Sequence, residues 1–142
     1  MRNKIEFLQS ISYPSVLGTA IAGMVIGFVW YSDFLFAQKW MALSKVSVKQ
    51  MENNNMTLSA SLGFGVTLIL SFCLAAMYHY FQSLDSALMA LQFIIFFMAI
   101  EELGGLIWEK KPVMLYLINV GHKAISWLVI LLVYVALQNM LS

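Results

Sequence analysis

The sequence predicts an all-α polytopic integral membrane protein, with four transmembrane helices in an up-down-up-down bundle. Three observations predict it. Hydrophobic residues make up 61% of the chain and charged residues only 11%, against about 25% charged in soluble domains, and mean hydropathy is +0.82. Four apolar stretches, at about 16–36, 58–81, 87–108 and 113–138, each reach the ~20 residues needed to cross ~30 Å of hydrocarbon. The connections after the second and third stretches are short, which forces neighbouring helices to be antiparallel. These spans leave room for little else, so residues 1–142 form a single membrane domain without a soluble catalytic lobe.

The first span follows Pro14, whose missing N–H costs nothing in a first helical turn. Within it Thr19, Gly23, Gly27 and Tyr31 recur every four residues, a small-residue face of the kind that lets helices approach in lipid. Trp30 near its far end has the place of an interfacial anchor. Between the first two spans, Phe36, Trp40 and Leu43 fall at i, i+4 and i+7 and alternate with Lys39, Lys45 and Lys49. This pattern predicts a short amphipathic helix over about 36–50, apolar side down in the headgroup region, anchored by Lys39 and Trp40. Thr57 is the expected N-cap of the second span, after the Asn53-Asn54-Asn55 break. Tyr78, His79 and Tyr80 close that span, while Gly63 and Gly65 inside it predict a close helix contact. Glu109-Lys110-Lys111-Pro112 turns the chain from the third span, ending at the interfacial Trp108, into the fourth.

Composition also excludes function classes. The net charge of +1 argues against nucleic acid as a partner. Cys73 is the only cysteine, which rules out an intrachain disulfide or a thiolate metal cluster. No zinc-type spacing, Gly-rich phosphate loop or nucleophile elbow occurs, so no cofactor and no resident metal are expected. His79 and His122 belong to opposite sides of the membrane, which disfavours one haem shared between them. His79 reads as an interfacial structural residue, Asp33 as a solvated cap or headgroup contact, and the ten methionines as packing filler. Arg2 and Lys4 imitate a signal peptide, but the apolar run from Val16 continues past signal length. Lysines in loops one and three outnumber the basic residues of the N-terminal segment. That excess predicts an inner-membrane protein with both loops cytoplasmic and both termini outside.

The informative residues are those that cost most in hydrocarbon. A charge at the centre of a membrane helix costs ~2.5–3.5 kcal/mol on insertion scales. Glu101 and Glu102 lie ~10–12 Å below loop three, counting back from Glu109 at 1.5 Å per residue, and His122 and Lys123 lie ~13–15 Å below it counting on from Val113. All four therefore share one layer. Asn119, His122, Lys123 and Ser126 fall within an arc of about 100° on the fourth helix, and Tyr31 reaches the same depth from the first. Gly105 is expected to let the fourth helix approach, bringing Lys123 or His122 to a carboxylate. The bland interpretation is an ion-pair layer that fixes helix register; the sharper one is a proton or ion relay or a polar binding cavity.

From Trp30 through Tyr31, Ser32, Leu35 and Phe36 to Lys39 and Trp40, the chain resembles the bacterial domain-of-unknown-function family 1761 of small four-span membrane proteins. Asp33 departs from that pattern, which commonly has proline there. The resemblance implies the four-span fold and brings no activity with it.

Three function classes follow. The first is transport or binding of a small solute or ion by a homo-oligomer, through the Glu/His/Lys layer. The second is an accessory subunit of a larger membrane complex, docked by the small-residue face of the first span. The third is an intramembrane enzyme or lipid-binding protein with a glutamate as general base, which lacks an accompanying nucleophile, metal set or cofactor motif.

Overall fold

A computed structural model of the chain describes residues 4–46 and 55–141. Its elements in order are α1 (Lys4–Gln9), α2 (Tyr13–Trp30), α3 (Ala37–Ser44), α4 (Met56–Phe81), α5 (Leu84–Ile107) and α6 (Val113–Leu141). No strand occurs among the described residues, and α2, α4, α5 and α6 are long and apolar enough to cross a membrane. The chain is therefore an all-α polytopic membrane protein.

Local chemistry sets most of the helix ends. The Ser12 side chain caps α2 by accepting from Ser15 N–H at 3.4 Å, and Pro14 occupies the first turn. Asn55, not Thr57, caps α4: its Oδ1 accepts from Leu58 N–H at 3.1 Å, while Thr57 is exposed two residues further in. Ser83 caps α5, so that helix begins three residues before the predicted Ala87. Lys45, Gln82 and Lys110 end or turn their segments at positive φ, a conformation that costs a non-glycine residue ~1–2 kcal/mol.

The first span is shorter than its hydrophobicity suggests. It stops at Trp30, because Ser32 Oγ donates to Val29 O at 2.7 Å and Phe36 N–H donates back to Trp30 O. Those bonds close a turn over 31–36 instead of another helical turn. A helix stands within the predicted 36–50 stretch as α3, where it contacts α6 and sets Trp40 against Tyr31. Lys49, with the rest of the 47–50 segment, and Asn53 and Asn54 lie outside the described residues.

Side-chain pairings fix the topology. Ser12 reaches Tyr134 near the end of α6 and Trp30 reaches Ile118 near its start, so α2 and α6 are antiparallel. Tyr116 donates to Ala99 O, which makes α5 and α6 antiparallel as well. His79 meets Tyr134 and Gln138, so α4 and α6 run the same way. The central helix is α6, which packs against α2, α3, α4 and α5. One core cluster joins Leu74, Ala87, Leu91, Ile130 and Leu131 across α4, α5 and α6. A second joins Ile11, Val16, Ala75 and Tyr134 at the loop-two end.

The glycines divide sharply. A Cβ on Gly23 would stand 2.7 Å from Thr67 Cγ2 and 2.9 Å from Ile130 Cδ1, so α2, α4 and α6 converge there as the small-residue face predicts. Gly63 and Gly65 face open space; the contact expected of them does not form, because α2 crosses α4 on the Thr67 side. Gly105 does not admit α6 either, for the Lys111 stem crosses it, with Cδ 3.2 Å from where a Cβ would be.

Candidate functional site

The end of the bundle that carries loops one and three gathers most of the expected polar layer. Lys123 on α6 pairs with Glu102 on α5, each side chain partly buried. This is the carboxylate–lysine contact expected across the hairpin. His122 takes no carboxylate: its neighbour around the α6 circumference is α2, because consecutive residues point ~100° apart. There His122 packs beside Tyr31, with ring centroids 5.0 Å apart, and beside Trp30 at 6.1 Å. A Cβ on Gly27 would lie 3.6 Å from His122 Nε2, which is ordinary contact, so Gly27 faces the imidazole without being forced to be glycine. That nitrogen is buried and has no hydrogen-bond partner among the described residues. Ser126 Oγ, one turn deeper, is buried and unpartnered as well.

Tyr31 joins the layer from beyond the end of α2, its hydroxyl donating to Asn119 Oδ1 at 3.4 Å. Trp30 contacts the neighbouring helix. Its Nε1–H donates to Ile118 O at 3.1 Å, its ring lies 4.8 Å from Phe36, and it approaches Gly121 closely enough that a Cβ there would stand 3.2 Å away. Trp30 therefore clamps α2 to α6. Trp40 is partly buried, stacked edge-on against Tyr31 at 5.6 Å. Lys39 and Trp108 are exposed, Trp108 at 84%.

Glu101 separates from its neighbour. It is exposed on the outer side of α5, and with Glu102, Gly104, Trp108, Glu109 and Lys111 it lines a shallow recess. Lys111 bonds Glu109 at 2.6 Å; that hydrogen bond and the adjacent carboxylate charge hold its ammonium above the usual lysine range. A second recess of about 360 Å³ lies between α3 and loop three, lined by Trp40, Lys45, Lys110, Lys111 and Asn119 among others. The layer thus opens toward the surface past Asn119.

The opposite end holds a polar cluster that sequence reasoning missed. His79 is buried and its Nε2 lies 2.9 Å from both Tyr134 Oη and Gln138 Oε1. Tyr134 Oη also accepts from Ser12 N–H at 3.1 Å, tying the start of α2 to α4 and α6. The one signal available was spacing: Tyr134 and Gln138 are about one helical turn apart on α6 and so share a face. Among the described residues, no group of three His, Cys, Asp or Glu side chains is disposed to hold a metal ion.

Fold and site together define a small four-span helical membrane protein with an acid–base cluster at one end of its bundle. The chain belongs to the family described as Protein of unknown function (DUF1761), whose model matches residues 14–135. That match reaches into all four long helices and includes the Tyr31, Glu102, Asn119, His122 and Lys123 layer, but it ends before Gln138 of the second cluster. No curated protein and no solved structure matches the chain.

Proposed function

We propose that this protein binds and conducts a small polar solute or proton through the layer formed by Tyr31, Asn119, His122, Lys123 and Glu102. One observation carries the proposal: His122 Nε2 is buried without a hydrogen-bond partner among the described residues, beside a lysine that already has its own counter-ion. A buried unpaired polar atom costs about 1–3 kcal/mol. A protein that keeps one at membrane depth keeps an acceptor ready for a ligand hydrogen or a proton. The Glu102–Lys123 pair sets the local charge near zero, so the imidazole can exchange a proton without leaving a second uncompensated charge. Tyr31 and Asn119 supply a donor and an acceptor toward the surface recess.

Four short helices enclose little volume, and we place the pathway at the contact between copies of the chain. The support is that α5 buries only 6% of its spanning window inside the chain. The same exposed face supports a second reading, docking as an accessory subunit in a larger membrane complex. For orientation in the plasma membrane, exposed lysines at the loop-one and loop-three end favour a cytoplasmic location for those loops.

Proteoliposomes containing a pH-sensitive dye test the proposal under an imposed potassium potential. Wild-type protein is expected to pass protons faster than empty liposomes, and His122→Ala to reduce that flux to background while Asp85→Asn leaves it unchanged. Native mass spectrometry of the gently extracted protein reads solute binding in parallel. Absence of flux together with absence of any retained small molecule would overturn the reading; fixed-ratio unrelated subunits would transfer it to the accessory role.

A further inference from the structure

A second half-open cavity, of about 570 Å³, is lined by Tyr31, Ser32, Asp33, Ala37, Trp40 and Met41. Its size falls within the range of small-molecule sites, ~300–1,000 Å³. The turn that builds it is well bonded: Ser32 O accepts from both Leu35 N–H and Ala37 N–H, and Ser32 Oγ is tied to Val29 O. Tyr31 and Trp40 meet at 69°, so two electron-rich ring systems form adjoining walls. Asp33 is exposed in the lining and has no ion pair or hydrogen bond among the described residues. No lysine lines this cavity: Lys39, beside Trp40 in sequence, is exposed outside its lining, and Lys45, Lys110 and Lys111 line the other recess that Trp40 borders. The cavity therefore combines aromatic faces, a polarisable methionine and one unneutralised carboxylate, with no lysine in its lining.

We propose that this cavity is a binding site for an organic ammonium ion, with Tyr31 and Trp40 as aromatic walls and Asp33 as counter-charge. Cations bind aromatic faces within ~6 Å of the ring centre, most strongly when partly desolvated, and quaternary ammonium groups are the characteristic ligands of such cages. An inorganic cation would be poorly served, because the lining offers one carboxylate and little other oxygen. A hydrated alkali ion gains little from mostly apolar walls. An ammonium with a hydrocarbon body matches both parts. The ligand is either a free amine or the amine end of a phospholipid headgroup, which share this chemistry. The site shares Tyr31 with the His122 layer but none of its other residues, and its binding can be present whether or not the layer conducts.

Equilibrium dialysis of radiolabelled tetraethylammonium against the full chain in phosphatidylglycerol nanodiscs tests the site. Saturable binding at one ion per chain is expected. Asp33→Asn, a change at an exposed position outside the core, should weaken it by about tenfold, and Trp40→Leu by a similar factor. Asp85→Asn, an exposed carboxylate at the other end of the bundle, should leave it unchanged. Absence of saturable binding, or wild-type affinity in Asp33→Asn, overturns the proposal whatever Trp40→Leu does to the fold. Repeating the titration with phosphatidylcholine nanodiscs separates the two sources. Competition by the lipid assigns the site to a headgroup; unchanged affinity assigns it to a free amine.

Discussion

At the residue scale, the cost of charge in hydrocarbon pointed to one layer of the chain, and three-dimensional packing divides its residues between neighbours. Glu101 and Glu102 are adjacent in sequence and equivalent in cost, yet only Glu102 reaches Lys123 while Glu101 is exposed. The same separation assigns Lys123 to α5 and His122 to α2. Sequence spacing placed these groups in one layer; it could not say which of two vicinal residues faces which neighbour, because that depends on helix rotation. The ion pair itself makes a prediction. Both side chains keep roughly a third of their surface, 38% for Lys123 and 28% for Glu102, so removing one partner should cost about 3 kcal/mol, the low end for breaking a buried pair. Glu102→Gln and Lys123→Met are each expected to lose that much in detergent-denaturation midpoints. The double variant should recover most of it, since no charge remains to be compensated. Two additive losses would show that the pair contributes no coupling, and that the two groups serve separate partners.

At the element scale, the four spans were legible because apolar length is a one-dimensional property, and their ends were not where cap chemistry overrode hydropathy. Ser32 closes the turn that stops α2 at Trp30, and Ser83 starts α5 early; neither signal changes the hydropathy of the stretch. The glycines show the same limit. Gly23, Gly63, Gly65 and Gly105 look alike in sequence, but only contact across helices distinguishes them. Gly23→Ala forces its Cβ against Thr67 and Ile130 and is expected to cost about 1–3 kcal/mol, the usual penalty for overpacking. Gly63→Ala and Gly65→Ala meet nothing within 4 Å and should gain up to about 1 kcal/mol from the better helix propensity of alanine. Denaturation midpoints of the three variants check the contrast. Equal losses at all three positions would mean that α4 uses Gly63 and Gly65 against another chain.

At the scale of the whole molecule, α6 is the hub and α5 is the outlier. α5 meets α4 and α6, and its remaining surface exposes Phe93, Phe96, Phe97, Ile100 and Ile107. Lipid can cover such a face, since hydrocarbon is as apolar as the side chains. Glu101 changes the argument. It continues the Phe93–Phe97 stripe at i+8 and is exposed, so lipid there would surround a carboxylate at an insertion cost of ~2.5 kcal/mol or more. A second copy packed on this stripe would remove that contact and provide the subunit boundary on which the conduction proposal depends. With Cys73 replaced by alanine, Phe97→Cys is therefore expected to form a disulfide-linked dimer when native membranes are oxidised. Phe28→Cys, exposed on α2, should remain monomeric. Dimers from both positions would indicate random collision. Phe97→Cys joined to a different protein would place α5 against a foreign subunit, in favour of the accessory role. Monomer from both would leave Glu101 to the shallow recess it shares with Lys111, and the conduction pathway would have to lie within a single four-helix bundle.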